Sequence, residues 1–286
     1  MSFSTFTLQQ DGALLRVTFN NPPVNLMSFR MIQDLFALGG RLHADRDVKV
    51  VLFDSADPDF FIAHVDISDL SKEVQGEVAG SKYPDINGLQ ALTLSWKALP
   101  QVKIAKIDGR LRGGGLEFVL GAMDMRFATE GSKLCFPEAS AGFLACGGGT
   151  TFLSLAAGPA RALEVLLSAR DFSGVEAERY GFINRALPSA QIDDYLQDLI
   201  GRLLARSRDV VAMHRAVQAK LFAGIIEPLF GALAAECDGL RLGEAGPDML
   251  PGMKAMLAVG QTRENELDLP ATMARIAAAG GERGSD

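Results

Sequence analysis

The sequence predicts an α/β protein in which pairs of short strands precede single helices, followed by a largely helical stretch. Three observations predict it. Leu15-Arg16-Val17-Thr18-Phe19 alternates apolar and polar residues with the two-residue period of a half-buried strand. Met31, Ile32, Leu35, Phe36 and Leu42 recur at helical spacing. Strand signals then return in pairs before a helix, which fits two-layer packing of repeated β-β-α turns better than a doubly wound sheet.

Taken in order, strands are expected over Phe3–Leu8 and Leu14–Phe19, joined by the turn Gln10-Asp11-Gly12. Asn20-Asn21-Pro22-Pro23 breaks the second strand, and the helical period spans Ser28–Ala44. Val48–Phe53 is a nearly continuous apolar strand, and Asp54–Asp59 is a polar loop. The stretch Phe60–Pro84 has little periodicity and reads as a mobile loop beside a site. A helix over Leu89–Leu99, a strand over Val102–Ile107 and a helix over Leu116–Met123 follow. Strands are expected over Asp124–Ala128 and Lys133–Phe136, then a glycine-rich stretch from Gly142 to Gly149. From Thr150 the signals are helical. A break near Pro188 divides the chain into a core, 1–187, and a helical C-terminal region, 188–286, whose last few residues (GGERGSD) read as disordered.

Composition narrows the function classes. The 286 residues suit one large domain, or a domain with an appendage. A net charge of −7, with no Lys/Arg run longer than two, argues against nucleic-acid binding, which needs a basic patch. Cys135, Cys146 and Cys237 form no CxxC pair and have no histidine at metal spacing, so they read as buried apolar groups in a reducing compartment. The N-terminus lacks the basic and apolar regions of a signal peptide, and no apolar run approaches the roughly 18 residues of a membrane span. A cytoplasmic protein with no metal and no membrane partner is expected.

The chemistry centres on Gly113-Gly114-Gly115-Leu116-Glu117, at a junction between a strand and a helix. Backbone N–H groups are unpaired at such a junction, and the helix dipole favours negative charge there. A dinucleotide fingerprint would need a further glycine in register, and a phosphate loop would need GK[ST]; neither is present. Two readings stay open: a hole for a thioester oxyanion, where glycine lets a carbonyl approach the peptide closely, or a tight junction without chemistry. Glu117, read as lying in the first turn of the helix, is either a surface acid favoured by the dipole or a catalytic group. Glu138, after Phe136-Pro137, is a second acid beside a glycine-rich turn, and two such acids suggest general acid/base work.

These fragments, in this order, resemble the enoyl-CoA hydratase/isomerase (crotonase) superfamily. The resemblance runs roughly from Phe3 to Pro188 and is strongest over Phe60–Asp66 and Ile104–Leu187. Its carriers are Pro22–Ser28, the FIAHVD loop at Phe61–Asp66, IAKIDGRLRGGGLE at Ile104–Glu117 and Phe136-Pro137-Glu138 with the later glycines. Ala160–Glu164 and Ala177–Asn184 complete the set. The resemblance implies a spiral of β-β-α turns, an acyl-CoA thioester as substrate, and no cofactor beyond the coenzyme A the substrate carries. It implies Val65 and Gly114 as backbone donors to the thioester oxygen, each typically worth about 10²–10³ in rate. It implies Glu117 activating the water that adds to Cβ and Glu138 delivering the proton to Cα. Keeping both acids favours hydration over isomerisation, thioester hydrolysis, C–C cleavage or a catalytically weak assembly role. Ala63, His64, Asp66, Gly113, Gly115 and Cys146 fall at positions that would contact substrate or CoA, with His64 in a place usually held by glycine and read as exposed or as a substrate contact. Homotrimers or homohexamers are common in the family, and its C-terminal region packs on a neighbouring subunit and can cover the CoA.

Three departures stand out. One extra residue separates Glu117 from Asp124, which predicts a bulge in the helix or a shifted glycine register. Ala145-Cys146 replaces the usual Pro-Gly, and Thr150–Leu153 replaces a Thr-Gln-Arg-Leu-like stretch. Ser68 stands where a cation usually follows the loop aspartate, leaving Lys72 or Arg30 as substitutes.

Overall fold

The computed structural model of the chain describes residues 3–74, 85–223, 226–244 and 249–281. The first half of the core runs β1 (Phe6–Asp11), β2 (Leu14–Phe19), α1 (Phe29–Ala44), β3 (Val50–Ser55), β4 (Phe60–Ile62), α2 (Ile67–Val74) and α3 (Gly88–Lys97). Next come β5 (Val102–Ile107), β6 (Arg110–Arg112), α4 (Gly113–Ala122), β7 (Met125–Thr129), β8 (Lys133–Cys135) and a single 3-10 turn, Glu138–Ala141. The core closes with α5 (Gly149–Ala157), α6 (Pro159–Ser168), β9 (Phe172–Ser173), α7 (Gly174–Tyr180) and β10 (Arg185–Leu187). Beyond it the described elements are helices: α8 (Ile192–Leu204), α9 (Arg208–Ala223), α10 (Ile226–Glu244), α11 (Met249–Val259), α12 (Arg263–Leu267) and α13 (Leu269–Gly281).

The paired strands part company. β1-β2-β3-β5-β7-β10 form one sheet and β4-β6-β8-β9 a second, so β1 and β2 pair within the larger sheet while the pairs β3-β4, β5-β6 and β7-β8 each lay one strand in each sheet. From β2 to β10 the larger sheet is parallel, an arrangement that needs both faces covered. The strand β3 shows why its sequence is apolar throughout. Val51 and Phe53 face the central core, while Val50 and Leu52 face the cluster closed by Ile192, Leu196 and Ile200 of α8. Phe53 packs edge-on against Trp96 and Phe118, with ring centres 5.2 and 6.4 Å away. The helix α4 is buried at all ten positions, as expected of a helix that is apolar all round.

Several expectations are corrected. The mobile stretch over 60–84 is ordered through β4 and α2 as far as residue 74, and residues 75–84 lie outside the described residues, as does the chain end 282–286. The helix after Glu117 has no bulge. It is continuous from Gly113 to Ala122, and the Met123 N–H still donates to the Val119 carbonyl four residues back. That helix begins at the glycine triplet, so Glu117 is its fifth residue, one turn in. The strands β6, β9 and β10 lie in stretches that gave no strand signal, because two or three residues are too few to display a period. Ser28 caps α1 by accepting from the Met31 N–H, which places the helix start where its spacing begins.

The C-terminal helices pack on their own core. Met249, Met253 and Met256 of α11, with Leu269, Met273 and Ile276 of α13, close over Ile67 and Ala141. Among the described residues no helix is long and apolar enough to cross a membrane.

Candidate active site

Two glycine-bearing turns and one loop converge on a single cavity of about 350 Å³. His64, Val65, Gly114, Glu117, Glu138, Cys146 and Gly147 line it together with apolar side chains that include Phe29, Ile32 and Phe143. Six of the positions singled out above (His64, Val65, Gly114, Glu117, Glu138 and Cys146) thus meet there. Gly113 lies just behind the wall, where a Cβ would come within 2.9 Å of Glu138 Oε1 and 3.2 Å of His64 Cβ. Ala63, Asp66 and Gly115 do not line it. Ala63 packs with Val24 and Phe60, and Gly115 packs against Ile62 and Leu111. Asp66 accepts from Ser68 and Gln261.

The loop 63–66 reaches the cavity through His64 and Val65. The Met27 N–H donates to the His64 carbonyl at 2.8 Å, and the Asp66 N–H donates to the Met27 carbonyl at 3.1 Å. In a trans peptide the carbonyl and the N–H point opposite ways, so the Val65 N–H faces away from Met27. The Gly114 N–H is among the first four of α4, which have no acceptor within the helix. Glycine is required there because a Cβ would lie 2.2 Å from Val65 Cγ2. The strand–helix junction and the loop therefore abut.

Glu117 is buried, and its Oε1 accepts from the Gly147 N–H at 2.7 Å and the Gly149 N–H at 3.0 Å. A Cβ on Gly147 would sit 2.6 Å from its Oε2. Burial pushes the Glu117 carboxyl well above the ordinary carboxylate range, helped by Glu138 and Glu236 and opposed by the two glycine N–H groups. Burial likewise pushes Glu138 up to about 7, against the pull of its own backbone and His64, and its Oε2 is buried with no partner. The Cys146 thiol is pushed well up by burial beside these acids, so it is not a ready nucleophile. Its carbonyl accepts from Asn87 and Gln90, which hold the replaced Ala145-Cys146 turn in place.

Two carboxylates that sequence reasoning missed stand behind the cavity. Glu236 of α10 accepts from the Gly148 N–H at 2.7 Å, the Thr151 N–H at 2.8 Å, the Thr151 hydroxyl at 2.6 Å and Gln90 Nε2 at 3.1 Å. It replaces the side-chain cap that α5 lacks at Gly148. Glu266 of α12 places Oε1 2.9 Å from His64 Nε2. No local pattern marks either residue, since both lie far along the chain on helices whose apolar faces carry the period. His64 is therefore neither exposed nor free, being 3% exposed and paired. Arg30 pairs with Asp34, and the Lys72 side chain lies outside the described residues. Among the described residues no cluster of His, Cys, Asp and Glu is arranged to hold a metal.

Residues 9–227 match the family model described as Enoyl-CoA hydratase/isomerase. The mitochondrial methylglutaconyl-CoA hydratase of Rattus norvegicus is 33% identical over 170 residues, 59% of this chain and 52% of that protein. The match thus spans about half the length of that curated relative. A Bacillus subtilis protein named "Probable enoyl-CoA hydratase" is 28% identical over 257 residues, covering 89% of this chain and 96% of its own. A crystal structure of a candidate enoyl-CoA hydratase from Streptomyces avermitilis superposes with a TM-score of 0.88 at 35% identity, covering 97% of this chain and all of its own.

Proposed function

The chain belongs to the enoyl-CoA hydratase/isomerase family, whose members act on acyl-CoA thioesters, and from that premise we propose that it hydrates 2-enoyl-CoA thioesters. One observation carries the reading: Glu117 and Glu138 line the same cavity as Val65 and Gly114. In this reading the two N–H groups hold the thioester oxygen and stabilise the enolate charge that develops on it. Glu117 takes a proton from water as its oxygen bonds to Cβ, and Glu138 gives a proton to Cα. Atoms balance, because water is divided between the two carbons and the acids exchange a proton with the medium between turnovers. Their shared burial suits the task, since a coupled pair holding one proton supplies one base and one acid. The apolar lining from Phe29, Ile32 and Phe143 supports an acyl chain without charge near its end. The substrate brings the coenzyme A, and no further cofactor enters the proposed reaction. We also propose a homotrimer or homohexamer, a stoichiometry that light scattering measures.

Purified protein with crotonyl-CoA tests the reaction directly. Loss of the conjugated-thioester absorbance is expected, extending to longer enoyl chains. No turnover from C4 to C16 would overturn the reading. The one-acid alternative, double-bond isomerisation, would show instead as turnover of a 3-enoyl-CoA that survives loss of one glutamate and is abolished by loss of the other.

A further inference from the structure

The loop that carries Val65 is held from behind by a segment some two hundred residues away. Gln261 accepts from the Ile67 N–H through Oε1 and donates to Asp66 through Nε2, each at 2.9 Å. Arg263 binds the Asp57 and Asp59 carboxylates. The Leu267 carbonyl accepts from Arg110 and the Glu266 carbonyl from Arg112. At the buried centre of these contacts His64 Nε2 meets Glu266 Oε1 at 2.9 Å, with the two side chains 4% and 3% exposed.

The other ring nitrogen closes the argument. His64 Nδ1 lies 2.6 Å from the Val65 carbonyl oxygen. A carbonyl only accepts, so Nδ1 carries a proton, and with Glu266 as a carboxylate Nε2 donates as well, which makes the ring an imidazolium. Burial and, less strongly, Arg112 oppose that charge, but the charge and hydrogen bond of Glu266 together with the Val65 carbonyl raise the histidine above its usual value. The charged groups facing the ring are Glu266 from α12, Arg112 from β6, Glu138 from the 3-10 turn and Asp66 on its own loop. Arg112 is itself buried and held by Asp171 through two bonds of 2.7 and 2.8 Å, so the platform under the ring is rigid.

The ring therefore fixes both peptides around Val65. The His64 carbonyl is held by Met27 on one side, and the Val65 carbonyl is held by the ring on the other. Between them lies the Val65 N–H. The His64 Cβ also abuts Gly113, whose carbonyl belongs to the peptide carrying the Gly114 N–H. We propose that the His64–Glu266 pair is a positioning device that aims the Val65 and Gly114 N–H groups at the thioester oxygen and sets a positive charge beside it. Glu266 acts through His64 and touches no reacting atom. The inference rests on the reading in which these N–H groups hold that oxygen.

A conjugated aryl-enoyl-CoA thioester, whose absorbance moves to the red when its carbonyl is polarised, reads the device without needing turnover. The wild type is expected to show the red shift on binding. Glu266→Gln removes the charge at nearly constant shape and is expected to cut the shift by at least half. It should lower kcat about tenfold to a hundredfold with thioester affinity held within about threefold, as for a small misplacement of positioned groups. Arg263→Ala, which loosens the same segment at its exposed edge, is expected to keep the full shift. Should Glu266→Gln not fold, His64→Gln breaks the pair from its other end and is read the same way. An unchanged shift in the pair variants, an equal loss in Arg263→Ala, or no shift in the wild type overturns the proposal. A wild type that shows the shift but hydrates no enoyl-CoA, with the shift lost in Glu266→Gln, keeps the device and overturns only the reaction.

Discussion

The spiral core and the C-terminal helices each bring two glutamates to one cavity, and the two regions hold them differently. The core supplies Glu117 and Glu138, which line the cavity and are short of partners. Glu117 uses one oxygen for two glycine N–H groups, and Glu138 has a buried oxygen with none. The helices beyond Leu187 supply Glu236 and Glu266, which stand behind it. Glu236 takes four donors, although burial raises it too, and Glu266 binds the histidine of the loop through one oxygen while its other is buried without a partner. Groups left under-bonded in a dry site keep proton affinities shifted toward neutrality, which suits acid/base work at a cost in stability. The pair behind the cavity spends its bonds on geometry instead, Glu236 on the start of α5 and Glu266 on His64. The packing differs in the same sense: edge-to-face aromatics fill the core, whereas adaptable methionines join α11 and α13 to it.

This contrast can be broken at its centre. Glu117→Gln is expected to lower kcat by about 10²–10⁴ with little change in thioester affinity, read by absorbance at saturating crotonyl-CoA. A loss under tenfold would mean that the core glutamate is structural like its C-terminal counterparts. The next effect is on stability. Met253→Ala should cost roughly 2–5 kcal/mol within the C-terminal cluster, with hydrogen exchange rising over α11 to α13 and not in β3 or β5. Exchange rising equally in the parallel sheet would make the two regions one cooperative unit.

A smaller effect sharpens the account of the acids. Glu138 sits at about 7 in the folded protein against 4.5 as its unperturbed value. A raised folded value contributes stability below the unfolded one and loses it as pH climbs through the folded one. Wild-type stability should therefore fall between about pH 4.5 and 7 from this group, and Glu138→Gln should escape the fall. At pH 8 the variant is expected to be more stable by up to about 3 kcal/mol, with the gap closing toward pH 5 in denaturant titrations. A gap independent of pH would contradict a carboxyl held largely protonated by burial.

Much of this was legible along the chain. Leu14–Phe19 and Val102–Ile107 were bounded to the residue, because a half-buried strand and an apolar run flanked by breakers carry strong local signals. The cavity's own residues were legible for another reason: each sits in a short stretch whose order resembles a family. The two-residue strand β9 was hidden because it has no period of its own. The straightness of α4 was hidden too, since where the helix stops depends on where Asp124 meets the Lys103 backbone. His64 was misread as exposed because a residue next to Asp66 in a polar loop gives no hint of a carboxylate arriving from α12.

By itself the sequence determined most of the longer strands and helices, where the sheets end near Leu187, and, through the order of its motifs, which glycines and acids could serve one thioester. Periodicity, breakers and residue chemistry are local, so they survive without coordinates. Only the tertiary structure decided that the two acids share a cavity, that Glu117 hangs from two glycine N–H groups, and that Glu236 and Glu266 return to steady the site. Those pairings cross from about 30 to 200 residues of chain. They are selected by which apolar faces bury together, and burial in turn lifts Glu117 and Glu138 out of the ordinary carboxylate range.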